Sequence, residues 1–369
     1  MRRVIPCVLL VGMLSGCGGR SLLPYAREMG DSALVRVVGV DTADGGTELT
    51  VSTGSRQASE SALVLSARGE TLPEAALAVQ SLGDSYVYYG YADQLVIGEE
   101  QAMTGLEGLM DWLARESQLG LGMQLWVVRE GTAAQAVWAG GTRGTAERLS
   151  QLNTDSEVGA ASMGCTAAQM MSVLAREGST YLPAVVIAQK REGDGGEGQA
   201  GTPLPSGYGV IRKGKLVCWT DDDTARGVEL MEEQVFGHAI HLKLDDGAVV
   251  GVRLEGARTR VEPVFREGAL SGLDVRCDVT ARIVQTQRRL EGEDMERLQN
   301  GLEQMVGERM VRALELGQYW DADYLDLKRR TQLARPDKKA EIGAQWESAY
   351  RALTVRVDVR GTMERSFGM

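Results

Sequence analysis

The sequence is poor in the residues that build most metal centres, acid–base sites and base-stacking surfaces. Its 369 residues include only 2 histidines and 3 phenylalanines, and aromatic residues make up 5% of the chain. Two histidines leave little material for metal binding or acid–base catalysis, and the scarcity of aromatic rings argues against a platform that stacks bases or sugars. The formal net charge of −11 repels phosphate groups, so a nucleic-acid-binding protein is not expected.

Sequence motifs of common enzymes are also missing. The chain contains no GxSxG elbow, HExxH helix, Walker loop or zinc-type cysteine spacing. His238 and His241 lie in a stretch of strand-like alternation, which would direct the two rings to opposite faces. Asp41 and Asp44 belong to a predicted hairpin turn and lack the further ligands of a calcium loop. We therefore predict a protein without catalytic residues, metal or cofactor.

The N-terminal residues indicate export. Arg2 and Arg3 precede the apolar stretch 4–14, which is too short for a permanent membrane span and typical of a secretory signal. The stretch leads into Leu-Ser-Gly-Cys, which resembles a bacterial lipobox with Cys17 as the lipidated first residue of the mature chain. The sequence thus predicts a lipoprotein signal peptide over residues 1–16 and a lipid anchor at Cys17. A plain secretory signal with an incidental cysteine is the alternative.

The rest of the chain has the composition of an ordinary globular protein, with 43% hydrophobic and 25% charged residues. A stretch rich in glycine and acidic residues, followed by two prolines, separates two halves. We predict an N-terminal α+β region over residues 17–190, with a candidate break into subdomains near 100–110. A linker over 191–207 and a C-terminal α+β domain over 208–369 follow.

The predicted fold class is α+β, with mixed and antiparallel sheets packed against helices. In the N-terminal region, Thr71 is expected to cap a helix whose inward face carries Ala76, Val79 and Leu82. Residues 99–115 are expected to form one helix, because their composition and periodicity are helical.

The C-terminal half is predicted to combine long antiparallel strands with a long helix. Thr220 or Asp221 should cap a helix, at whose start the acidic residues 221–223 suit the positive end of the helix dipole. Apolar and polar residues alternate over 273–283, which indicates a strand with one wet face. Apolar residues recur at three- and four-residue steps over 292–316 and predict a long amphipathic helix.

Three cysteines remain in the body of the chain, Cys165, Cys218 and Cys277. They are odd in number and far apart, so buried free thiols are the simplest interpretation. One disulfide together with one free thiol is the alternative.

The order of motifs along the chain resembles the C subunit of bacterial spore germinant receptors, the Ger(x)C lipoprotein family. The strongest match is the block 209–227, which contains Lys213, the sequence Lys-Leu-Val before Trp219, three acidic residues and Thr-Ala-Arg-Gly. Cys17 stands at the lipobox cysteine, and Tyr91 stands where the family usually has a histidine.

This resemblance implies a non-enzymatic lipoprotein that contributes no catalytic residues. It implies tethering to the outer face of the spore inner membrane and action with two integral membrane partners, the A and B subunits, in sensing nutrient germinants. The resemblance leaves open which germinant is sensed, whether this subunit contacts it, and which surfaces dock the partners. An exported solute-binding lipoprotein that captures a small ligand directly is the alternative; a closed pocket with converging polar groups between two lobes would favour it.

Overall fold

The computed structural model describes residues 32–54, 62–139, 144–188 and 201–364. The strands in these ranges are β1 (Ser32–Leu34), β2 (Val37–Ala43), β3 (Gly46–Ser52), β4 (Val64–Gly69), β5 (Tyr86–Tyr88), β6 (Gln94–Ile97), β7 (Gln124–Val128), β8 (Ser179–Ala188), β9 (Thr202–Arg212), β10 (Lys215–Trp219), β11 (Ala239–Lys243), β12 (Val249–Arg266), β13 (Ala269–Thr286) and β14 (Thr354–Glu364). The α-helices are α1 (Leu72–Leu82), α2 (Glu99–Thr104), α3 (Glu107–Arg115), α4 (Ala133–Trp138), α5 (Thr145–Ser156), α6 (Ala167–Leu174), α7 (Asp222–Met231), α8 (Gly292–Trp320), α9 (Leu327–Ala334) and α10 (Lys339–Ala349). The α+β class and the mixed sheets expected from the sequence are confirmed.

The larger sheet has eight strands in the order β10-β9-β8-β7-β6-β2-β3-β4. The inner strands β8, β7, β6 and β2 run parallel to one another, and the flanking pairs are antiparallel. Successive residues of β6 and β7 enter two different apolar clusters, because side chains alternate between the faces of a strand. Helices therefore cover both faces of the parallel centre, which explains its nearly continuous apolar sequence.

Strand β9 begins inside the segment that the sequence suggested as a linker. Residues 202–205 pair antiparallel with β8, although Pro203 and Pro205 lack the N–H group that a sheet ladder uses. On its other side, β9 pairs with β10 only over Gly209–Arg212. Pro203 and Pro205 therefore have no described strand on that side to which a backbone N–H group would have to donate. Residues 191–200 lie outside the described part of the chain, and the division into domains stays a prediction.

A second sheet has four strands in the order β11-β12-β13-β14, with β13 and β14 parallel, and β1 and β5 form a separate parallel pair. The alternation predicted for 273–283 is confirmed: the apolar residues of this stretch of β13 are buried. The amphipathic helix predicted for 292–316 is α8, and it runs on to Trp320. Its buried side includes Leu298, Leu302, Val306, Met310 and Leu314.

Two helix predictions need correction. Residues 99–115 form two helices, α2 and α3, because the backbone at Gly105 adopts a φ of 148° that a helix cannot contain. In α1, Thr71 is the N-cap as predicted, but Ala75 and Val79 are the buried residues. The apolar stripe follows the i, i+4 spacing from Ala75, which leaves Leu82 on the outside with 56% of its surface exposed.

Candidate functional site

Helix α7 lies between the two sheets, in contact with β9, β12 and α8. The carboxylate of Asp221 accepts the backbone N–H of Thr224 at 2.7 Å, so Asp221 is the N-cap. Hydrogen bonds from Thr224 lower the pKa of this carboxyl group. Thr220, the alternative cap, instead accepts the backbone N–H of Tyr208 in β9 at 2.9 Å. The start of α7 is thereby tied to the larger sheet.

Helix α7 also lies unusually close to α8. A Cβ atom at Gly227 would lie 2.7 Å from the carbonyl carbon of Arg309 and 3.0 Å from the Cβ of Ala313. The side chain of Arg309 in turn donates to Asp223 at 3.1 Å. The sequence block that carried the strongest family resemblance therefore lies at the junction between the eight-stranded sheet and the four-stranded sheet. Each sheet, with the helices packed on it, is called a part of the fold below.

A buried polar network centred on Glu229 lies in this junction. The Tyr208 hydroxyl donates to the Glu229 carboxylate at 3.1 Å and itself accepts the backbone N–H of Met163 at 2.8 Å. The Arg226 guanidinium forms a 2.8 Å ion pair with Glu229 and also donates to the carbonyl oxygen of Gly159. Burial raises the pKa of Glu229, and the attraction of Arg226 opposes this effect. The network joins β9, α7 and the segment after α5.

The two histidines do not share a site. His238 is buried, and its Nε2 lies 3.2 Å from the Arg226 guanidinium. Burial and the positive charge of Arg226 lower the pKa of His238 to about 4. The imidazole is therefore neutral near pH 7, and its Nε2 can accept the Arg226 hydrogen. His241 lies on β11 with its side chain exposed, which agrees with the predicted divergence of the rings.

A cleft of about 730 Å³ separates the ends of β8 and β9 from helices α9 and α10. An adjoining cavity of about 380 Å³ shares part of its lining, including Arg176 and Leu333. Trp346 and Tyr350 line the cleft at its buried side, with their rings stacked at a centroid distance of 5.4 Å. The cleft therefore has one wall from each part of the fold.

Most acidic groups in the cleft are already engaged. Lys328 pairs with Glu347 at 3.3 Å, and an ion pair between Arg212 and Asp321 crosses from β9 to the end of α8. Asp323 accepts the backbone N–H groups of Leu327 and Lys328 at 2.7 and 2.9 Å and so caps α9. Burial nevertheless raises the pKa of Asp323 to about 6.

The cations of the cleft are not fully balanced by these acids. Arg329 pairs with Asp326 at 3.5 Å. Within the described ranges, Arg176, Lys213 and Lys339 have no carboxylate within ion-pair distance. The cleft is thus a local excess of positive charge on a protein whose formal net charge is −11.

The predicted lipidation residue, Cys17, lies outside the described residues, as does the signal peptide. Cys165, Cys218 and Cys277 are free thiols in the structure. Burial raises the pKa of Cys165 and of Cys218 to about 12, which makes both thiols poor nucleophiles.

Asp41 has a role that neither a turn nor a calcium loop predicts. Its two carboxylate oxygens accept the backbone N–H groups of Ala133 and Ala134 at 2.7 and 2.8 Å. Asp41 therefore compensates the positive end of α4 across the sheet. Across the described residues, no three or more His, Cys, Asp or Glu side chains are grouped to hold a metal ion.

The structure defines an α+β protein whose eight-stranded and four-stranded sheets meet at a buried polar junction. Two family models match consecutive segments: "Spore germination protein N-terminal domain" matches residues 25–187, and "Spore germination B3/ GerAC like, C-terminal" matches residues 206–367. The chain therefore belongs to the GerAC-like family of spore germination proteins, and the resemblance inferred from its motifs is confirmed.

A solved structure shares this fold. This structure, "Crystal Structure of the GerBC protein", aligns with a TM-score of 0.59 and 16% sequence identity, covering 93% of this chain and 99% of that chain. No curated protein matches the chain. No helix in the described ranges combines the length and apolar character needed to cross a membrane.

Sequence reasoning missed the Glu229 network and the cleft. One signal was available for the network, because Glu229 follows Arg226 by three residues and lies on the apolar side of α7. No comparable signal exists for the cleft. Its walls come from segments 173–213 and 321–350 of the chain, which only the tertiary fold brings together.

Proposed function

We propose that this chain is the non-enzymatic C subunit of a spore germinant receptor. It would act with integral membrane A and B subunits in nutrient sensing and in the triggering of germination. The observation that carries the proposal is the match of both family models, in order, over residues 25–187 and 206–367. The shared fold with GerBC over 93% of the chain supports it.

The junction supports a role as a coupling body between receptor subunits. Glu229, Arg226 and Tyr208 are joined by direct hydrogen bonds and link the two sheets through α7 and β9. Displacing β9 and the segment after α5 from α7 would break the Tyr208–Glu229 and Arg226–Gly159 hydrogen bonds, and leaving such buried polar groups unpaired costs about 1–3 kcal/mol each. A partner bound to one part would therefore move the other with it.

A lipid anchor at Cys17 would place the protein at the outer face of the spore inner membrane. The segment between Cys17 and Ser32 has 14 residues, so it can span at most about 50 Å when fully extended. Multiple acyl chains hold such a protein stably, because each buried CH2 group contributes about 0.8 kcal/mol. The overall negative charge of the chain would not attract anionic lipid, so the anchor would carry the attachment.

The test is a pull-down from detergent-solubilised spore inner membranes with wild-type, Cys17→Ala and Cys7→Ala chains. Cys7 is a matched control, because it lies in the predicted signal and not at the lipobox position. We expect multi-span receptor subunits to co-purify with wild type and Cys7→Ala, and germination to slow in Cys17→Ala alone. Isolation of the wild-type chain by itself, with normal germination of the Cys17→Ala spores, would refute the proposal.

A direct solute-binding role is the second candidate function, and the cleft between the two parts of the fold favours it. Its volume of about 730 Å³ falls in the usual range for small-molecule sites. The two functions are compatible, since a receptor subunit could also bind a ligand.

A further inference from the structure

We infer that the cleft between β8–β9 and α9–α10 binds a small organic anion, with a carboxylate or phosphate group attached to an apolar body. This inference goes beyond the proposed receptor role and does not depend on it. It rests on the charge balance of the cleft, on the apolar residues beside the charges, and on the origin of the two walls.

The unpaired charges of the cleft select the sign of the ligand. Among the described residues, Arg176, Lys213 and Lys339 lack a carboxylate partner. The only carboxylate of the lining without an ion pair or hydrogen bond in the described structure is that of Glu177. Because Asp323, which caps α9, also carries a negative charge, the lining holds six cationic and five carboxylate side chains. Its net formal charge is therefore +1, and the excess lies with the three unpaired cations, although the formal net charge of the whole chain is −11. An anion would satisfy these cations by charge-assisted hydrogen bonds.

The start of α10 adds to this positive potential. Lys339 is the first residue of α10, and the helix begins without a side-chain cap. The N-terminus of an 11-residue helix carries a partial positive charge, and Glu341 in the first turn offsets part of it. In contrast, the start of α9 is already neutralised by Asp323. The uncapped helix start and the lysine therefore favour the same end of the cleft for the anionic group.

Apolar side chains in the lining select the body of the ligand. Val173, Leu333 and Pro336 line the cleft together with Trp346 and Tyr350. Leu333 has 68% of its surface exposed, and burying it would gain about 25 cal/mol per Å² of apolar surface. An apolar group on the ligand would cover it, whereas inorganic phosphate alone would not.

The three unpaired cations come from both walls of the cleft. Arg176 and Lys213 follow α6 and β9 in the larger part of the fold, whereas Lys339 belongs to the C-terminal helices. A ligand held by all three cations would therefore bridge the two parts at a second place, away from the Glu229 network.

The experiment is isothermal titration calorimetry on the full chain in detergent, with phenyl phosphate as the probe. Inorganic phosphate and phenol represent its two halves. We expect phenyl phosphate to bind at least tenfold more tightly than either half, and its affinity to fall as NaCl concentration rises. Equal affinity for phenol or for inorganic phosphate, or no measurable heat for phenyl phosphate, overturns the inference.

Two triple variants locate the site. Arg176→Gln/Lys213→Gln/Lys339→Gln should weaken phenyl phosphate binding at least tenfold. The control Lys243→Gln/Arg253→Gln/Arg258→Gln removes the same charge from exposed positions on β11 and β12 and should change the affinity less than twofold. Equal effects of the two triple variants would show that net charge, and not this cleft, attracts the anion. Circular dichroism of both variants verifies that they are folded.

Discussion

The closest helix contact in the junction gives the sharpest stability prediction, the effect of Gly227→Ala. Alanine in a helix interior is ordinarily more stable than glycine by about 1 kcal/mol. At position 227, however, the new Cβ would lie 2.7 Å from the Arg309 carbonyl carbon, whereas ordinary contacts are 3.4–4 Å. The two neighbours, the Arg309 carbonyl group and the Ala313 Cβ, cannot rotate away from the new methyl group. The helices α7 and α8 must therefore move apart. Overpacking of this kind costs about 1–3 kcal/mol or more and should exceed the propensity gain.

We therefore expect Gly227→Ala to lower the free energy of unfolding by about 1–2 kcal/mol, measured by urea denaturation monitored by circular dichroism. Gly301→Ala in α8 is the matched control. The new Cβ would meet only the side chain of Leu242, at an ordinary distance of 3.7 Å. That variant should be as stable as wild type or more so. If Gly227→Ala proves as stable as Gly301→Ala, the packing of α7 against α8 described above is incorrect.

Three further predictions concern His238, Asp41 and Cys165. Because burial lowers the folded-state pKa of His238 to about 4 from an ordinary 6.5, stability should be lost as pH falls through this window, by up to about 3 kcal/mol. His238→Gln should show a smaller loss between pH 7 and 4.5 in urea denaturation; an unchanged loss would contradict the assignment. Asp41→Ala should cost about 1–2 kcal/mol by leaving two N–H groups of α4 unpaired, whereas the exposed control Asp44→Ala should change stability by less than about 0.5 kcal/mol. Cys165 should react with a thiol reagent only in denaturant, since burial raises its pKa to about 12; rapid labelling of the native protein would exclude a buried thiol.

Local sequence patterns predicted those elements whose stability depends on one face. Helix α8 and strand β13 followed their apolar periodicity because each packs one side on the C-terminal core. The break at Gly105 was missed, since the composition of 99–115 is helical on both sides of it. Strand pairing of the segment at Pro203 was also missed, because tolerance of proline depends on which side of the strand has a neighbour.

Long-range polar contacts could not be predicted from the sequence in the same way. Asp41 caps a helix that begins 92 residues later in the chain, and its sequence neighbours indicate only a turn. Trp219 similarly donates to Glu99 at 3.0 Å across 120 residues. Such pairs have no periodicity, and they exist only because the tertiary fold packs α2 against β10 and α4 against β2.

The residues that identify the family and those that form the cleft are largely different. Within the block 209–227, Asp221 and Gly227 serve the junction by capping and packing α7. Of this block, only Arg212 and Lys213 reach the cleft. A chain could therefore keep the junction, and with it the fold, while changing the other cleft residues and the ligand they accept. The fold thus separates a stable coupling element from a site whose specificity can vary, and substitutions at Arg176 and Lys339 should alter ligand affinity without weakening the junction.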